Sequence, residues 1–104
     1  GRMIEGYLGG RPQLKAVVVL LDLRRGIEED DTQLIEALPH FGLQPILVFT
    51  KADKFKRNKR MERRRAIARD HGLVTDQMIL TSATKRFGLE ELWLRIRDMT
   101  GANL

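Results

Sequence analysis

Three uninterrupted apolar runs stand out from a sequence that is otherwise rich in charge, and each is followed by a polar turn. They are Ala16-Val-Val-Val-Leu-Leu-Asp-Leu23, Pro45-Ile-Leu-Val-Phe-Thr50 and Met78-Ile-Leu-Thr81. Short β-branched and aliphatic runs without polar alternation describe strands covered on both faces. Between and after them the apolar residues recur at helical spacing. Leu34, Ile35, Leu38 and Phe41 predict a helix from Asp30 or Asp31 to Phe41, with acidic residues at its start and Gly42 as its stop. A polar helix follows from about Arg57 to Asp70, carrying Met61, Ile67 and Ala68 and ending at His71-Gly72. The last helix, Leu89 to about Met99, lines up Leu89, Leu92, Trp93, Ile96 and Met99 on one stripe, which assigns Trp93 to the core. Ahead of the first strand, Met3, Ile4, Tyr7 and Leu8 predict a short helix ended by Gly9, Gly10 and Pro12.

Strands that alternate with helices of ten to fifteen residues form right-handed βα units. The expected fold class is therefore α/β, a three-layer structure with a parallel sheet between flanking helices. In such sheets ligands bind beyond the carboxyl ends of the strands. Two loops fall there, Thr50-Lys-Ala-Asp53 and Ser82-Ala-Thr84.

The 104 residues, 42% of them apolar, suffice for one small domain over 1–104. No apolar run approaches the roughly 18 residues of a membrane helix and no secretory signal is present, so a soluble cytoplasmic protein with no membrane partner is expected. The chain has no cysteine, which excludes disulfides and thiolate metal sites, and His40 and His71 are isolated and read as surface or helix-end residues. The net charge of +5 is unevenly placed: residues 51–65 hold nine basic and two acidic side chains, or +7, leaving −2 for the rest. Such a block is either a solvated helix face or an electrostatic footprint for a polyanion such as RNA, with Arg63, Arg64 and Arg65 as candidate contacts.

Thr50-Lys-Ala-Asp53 and Ser82-Ala83 resemble the base-recognition motifs of the GTPase superfamily. The chemistry suits guanine, which presents two adjacent N–H donors that one carboxylate can meet in a charge-assisted pair. Asp53 is the candidate for that role. Adenine would set an acceptor against the carboxylate, a mismatch of about 1–3 kcal/mol or more in a buried site. Lys51 would lay its aliphatic stem over the purine, Thr50 would brace the loop, and Ser82 and Ala83 would offer backbone N–H groups to the base carbonyl. Ala52, Thr81, Ser82 and Ala83 complete the set of contact candidates. Asp22 is read as closing the turn after its strand, and Glu90 and Glu91 as helix-dipole and i+4 partners.

A closer resemblance spans nearly the whole chain. Tyr7-Leu8, Arg11, Leu14, Val17-Val-Val-Leu-Leu-Asp-Leu-Arg24, Asp31, Thr50-Lys-Ala-Asp-Lys54 and Thr81-Ser-Ala-Thr-Lys-Arg-Phe-Gly-Leu-Glu-Glu-Leu92 are similar to the EngB (YihA/YsxC) family of bacterial GTP-binding proteins. The resemblance implies the later, guanine-recognising half of a Ras-like P-loop NTPase G domain. It also implies GTP or GDP as ligand, Mg2+ in the full-length protein only, and a role in large ribosomal subunit assembly and in cell division and septation. Ribosomal RNA or the ribosome is the implied partner. The sequence contains neither a Gly-x-x-x-x-Gly-Lys-Ser/Thr loop nor an Asp-x-x-Gly motif. The chain is thus expected to be part of a longer protein and not to hydrolyse GTP alone. Its first strand would then lack a neighbour, and its open edge invites self-association. The rival reading is a nucleotide-independent RNA-binding module built on residues 51–65; guanine recognition needs Asp53 and RNA electrostatics does not.

Overall fold

The computed structural model describes residues 2–7 and 15–100, with backbone alone for 2–7, 15, 99 and 100. In chain order the main elements are β1 (Arg2–Tyr7), β2 (Lys15–Asp22), α1 (Glu29–Ala37), β3 (Leu43–Thr50), α2 (Arg57–His71), β4 (Met78–Leu80) and α3 (Leu89–Thr100). The sheet order is β1-β2-β3-β4. β2, β3 and β4 run parallel, with Asp22 beside Thr50 and Phe49 beside Leu80.

The side-chain alternation of the three parallel strands explains why each reads as continuously apolar. On one face Val17, Val19, Leu21, Leu47, Phe49, Met78 and Leu80 pack with Leu38, Ile67 and Ala68. On the other, Ala16, Val18, Ile46, Val48 and Ile79 meet Ile96 and Leu92 of α3. Helices therefore cover both faces, and the expected three-layer α/β arrangement is present. Phe49 is fully enclosed, a position where truncation to alanine costs about 3–5 kcal/mol.

Three readings of the sequence need correction. Residues expected to form a helix ending near Leu8 are instead β1, which pairs antiparallel with β2 from Arg2↔Leu20 to Tyr7↔Lys15. Four apolar residues in six positions do not separate helix from strand, a helix this short is marginal alone, and the edge of β2 supplies unpaired backbone groups that a strand satisfies. The edge on which self-association was expected is thus paired within the chain. Leu8, Gly9, Gly10, Arg11, Pro12 and Leu14 lie outside the described residues. Next, α1 stops at Ala37 and a 3-10 turn, Leu38–Phe41, continues it with Pro39 in its first turn. The tighter winding rotates Phe41 off the apolar stripe, leaving it 76% exposed. Lastly, Trp93 is 55% exposed, because Ile96 and Leu92 are the α3 side chains that meet the sheet. Its assignment to the core was wrong in this structure. Elsewhere the stops fall as expected, with Gly42 and Gly72 in the left-handed conformation after their helices.

Candidate functional site

The parallel register brings the ends of β2, β3 and β4 to one edge, and the loops that leave them are tied together by main-chain bonds. Leu23 N–H donates to Thr50 O at 3.1 Å, Thr81 N–H to Phe49 O at 2.8 Å, and Ala52 N–H to Thr81 O at 3.0 Å. The Thr50 hydroxyl donates to Leu21 O at 3.1 Å. Thr81 likewise donates its hydroxyl to Phe49 O at 3.2 Å.

After Thr50 the chain turns through Lys51, whose φ of 60° is left-handed, into a 3-10 turn over Ala52–Lys54. A non-glycine residue in that region is uncommon and strained. The turn buries Ala52 fully and leaves Asp53 half-buried at the rim. Lys51 itself is exposed, with Nζ 4.0 Å from Asp22 Oδ2, so its stem crosses from the end of β3 to the end of β2.

The second loop is a compact ring. Ser82 and Phe87 exchange main-chain bonds, Ser82 N–H to Phe87 O at 3.1 Å and Phe87 N–H to Ser82 O at 3.2 Å. This corrects one role drawn from the sequence: the Ser82 amide is committed to Phe87. Ala83, exposed beside it, has an N–H with no partner among the described residues. The buried Ser82 contributes its hydroxyl instead. Oγ donates to Asp53 Oδ1 at 2.8 Å and accepts from Lys85 N–H at 2.9 Å. That bond holds the Asp53 carboxyl below its ordinary pKa, aided by Lys54 and Lys85. Asp53 is therefore an ionised acceptor with one lone pair already used to orient it.

Asp22 closes the turn after β2, as its position suggested. Its Oδ1 accepts from Arg24 N–H at 2.8 Å, and Arg24 grips the carboxylate with Nε at 3.1 Å and Nη2 at 2.8 Å. This side-chain bond to Arg24 lowers the Asp22 pKa from 3.8 to about 2. The carboxylate is spent on Arg24. Among the described residues no group of three His, Cys, Asp or Glu side chains could hold a metal ion.

A cleft of about 700 Å³ opens at this edge, lined by Asp22, Thr50, Lys51, Asp53, Ser82 and Ala83 together with Leu20, Val48 and Leu92. An apolar lining with a few convergent polar groups is the usual form of a small-molecule site. The candidates Arg63, Arg64 and Arg65 lie away from it on α2 and are not alike. Arg65 is exposed, whereas Arg63 donates Nε to Leu23 O at 3.0 Å and Nη2 to Arg24 O at 3.1 Å. Arg64 is half-buried, with its Nε enclosed and without a hydrogen-bond partner among the described residues. Arg60 bonds to the first loop, a contribution that its place in a basic run had concealed.

The parallel three-stranded sheet flanked by helices, with both loops at one edge, is consistent with a fragment of an α/β P-loop GTPase G domain. Comparison with known proteins then identifies the sequence type. The chain is 37% identical over 102 residues to the probable GTP-binding protein EngB of Geotalea daltonii, a match to 98% of this chain and 49% of that protein. It is 37% identical to the probable GTP-binding protein EngB of Bacillus subtilis, covering 95% of this chain and 51% of that one. The protein of the same name from Lactococcus lactis is 42% identical, covering 92% and 50%. The resemblance to the EngB family is shown along nearly the whole chain, as the carboxy-terminal half of that family's sequences. The chain spans about half the length of the curated relatives it matches. No family model matches it. Among the described residues no helix is long and apolar enough to cross a membrane.

Proposed function

We propose that this chain recognises the guanine base of GTP or GDP, with Asp53 accepting from the ring N–H and the exocyclic amino group. The observation that carries the reading is the Ser82 Oγ to Asp53 Oδ1 bond of 2.8 Å, which joins the two loops and points an ionised carboxylate into their shared cleft. The Ala83 amide then meets the base carbonyl, and the Lys51 stem covers one face of the ring. The names of the matched relatives, GTP-binding proteins, support the same ligand. The remaining candidates act through the frame: Thr50 and Thr81 hold the strand ends, and Ala52 packs beneath the turn.

The exposed basic side chains Lys56, at the start of α2, and Arg57, Lys59 and Arg65, within it, support a second, compatible reading as contacts for RNA phosphates. On the family resemblance the whole protein acts in large ribosomal subunit assembly and in cell division, with Mg2+ and the phosphate groups held by the half of the family sequence that this chain does not match. Hydrolysis of GTP by this chain alone is not expected. The test is a titration followed by amide chemical shifts, which reads weak binding. GDP should shift the Asp53 and Ala83 resonances, and ADP at the same concentration should leave them in place. Equal responses to the two nucleotides would refute base recognition by this site.

A further inference from the structure

Arg60 belongs to α2, outside both loops, yet its guanidinium meets each of them. Nε donates to Ala52 O at 3.1 Å and Nη2 to Phe55 O at 3.2 Å. These two carbonyls bracket the 3-10 turn that carries Asp53. The same guanidinium lies over the Phe87 ring, with Cζ 4.5 Å from its centroid. Phe87 closes the other loop through its paired main-chain bonds with Ser82. Among the described residues no carboxylate pairs with Arg60; its charge is taken up by two carbonyl oxygens and an aromatic face. It is also half-buried, whereas Arg57 and Lys59 on the same helix are exposed.

We propose that Arg60 is a positioning residue for base selection: it clamps the turn carrying Asp53 to the loop carrying Ser82 and Ala83, and so sets the spacing between carboxylate and amide that a guanine must span. The proposal rests on the guanine reading given above. Arginine suits the task because a planar fork donates in two directions while its face stacks on a ring, which an ammonium group cannot do. The direct Ser82–Asp53 bond fixes the carboxylate from one side only. Arg60 fixes the backbone under it and the far end of the partner loop.

The experiment compares GDP with inosine diphosphate, which lacks the exocyclic amino donor, so that the affinity ratio reads the contact Asp53 makes with that group. Arg60→Lys should lower this ratio by about two- to tenfold, the scale of one weakened hydrogen bond. Phe87→Leu, which removes the ring and keeps both carbonyl bonds, should lower it by a smaller factor. In an Asp53→Asn background Arg60→Lys should have no further effect on the ratio, because the two act through one contact. Without nucleotide, Arg60→Lys should shift the amide resonances of both loops, while Lys59→Gln shifts only its own turn of α2. A parent chain that does not prefer GDP to inosine diphosphate would refute the guanine reading and, with it, selection by Arg60. A parent that prefers GDP, together with variants that fold and keep the parent's ratio and loop shifts, would overturn the role of Arg60 alone. A variant that melts early but keeps the ratio would do the same, since it assigns Arg60 to stability only.

Discussion

Gly88→Ala is the substitution through which the packing of the fold should disturb the candidate site most strongly. Gly88 has φ of +91°, and a Cβ there would lie 2.2 Å from Leu80 O and 2.9 Å from both Cα and Cγ2 of Thr81. The nearest obstacles are main-chain atoms at the end of β4, and they cannot rotate away. Thr81 is itself held by Phe49 O and holds Ala52 N–H, so displacing it moves the turn that carries Asp53. A side chain at positive φ costs about 1 kcal/mol, and forcing extra volume against fixed atoms costs about 1–3 kcal/mol more. The sum, about 2–4 kcal/mol, is a large part of the 5–15 kcal/mol typical of a domain, and in a protein of this size it lowers the melting temperature by roughly 10 °C or more. Gly42→Ala is the internal control. Its φ is +73° and, chain neighbours aside, no atom of the described residues lies within 4 Å of the added Cβ, so it should cost only the dihedral part, about 1 kcal/mol. Thermal unfolding followed by circular dichroism separates the two. Equal melting temperatures for the two variants would refute the claim that close approach of Gly88 to β4 shapes the loop.

Asp22→Asn should destabilise the chain by about 1 kcal/mol at neutral pH, a value discounted because the Arg24 partner is half exposed at 48%. The folded carboxyl titrates near 2 and the unfolded one near 3.8, so the stabilisation is complete above 3.8 and is lost as pH falls toward 2. The parent's melting temperature should therefore fall more steeply than the variant's across that window, and parallel curves would refute the pairing. Arg63→Ala should cost about 1–3 kcal/mol because it strips the donor from Leu23 O and Arg24 O, whereas Arg65→Ala should stay within about 0.5 kcal/mol. Denaturant unfolding checks both, and a neutral Arg63→Ala would contradict the inward role of that guanidinium. Neutralising Arg63, Arg64 and Arg65 together should flatten the log-salt dependence of RNA binding by up to about three units if all three meet phosphate, and by fewer if Arg63 stays turned inward. An unchanged slope would identify the block as a solvated face.

The three parallel strands were legible because burial on both faces removes polar alternation, and α2 ended at its glycine because a left-handed stop leaves a residue-type signature. β1 was not legible: six residues adopt strand geometry there because β2 has an edge to fill, a fact of tertiary pairing and not of local pattern. Phe41 and Trp93 misled for a related reason. A helical stripe predicts which side chains share a face, but Pro39 changes the winding in one case, and in the other the sheet meets only part of the stripe. The site divides in the same way. Thr50 to Asp53 and Ser82 to Ala83 are readable because each follows a buried strand, and parallel order carries both to one edge. The bond between Ser82 and Asp53 spans 29 residues and depends on register. Arg60 was hidden because a run of basic residues reads as charge, while its effect here comes from the direction of its donors.

Recognition of guanine by Asp53 is tested most directly by a nucleotide swap. An asparagine in place of Asp53 would present a donor where the aspartate presents an acceptor, and xanthine carries a carbonyl acceptor where guanine carries its amino group. Titrating the parent and the Asp53→Asn variant with GDP and xanthosine diphosphate should show the parent favouring GDP. The variant should lose affinity for GDP and gain it for xanthosine diphosphate, an inversion of about tenfold or more from exchanging one matched contact for a mismatched one. Undiminished GDP binding by the variant, with no gain for xanthosine diphosphate, would contradict the account.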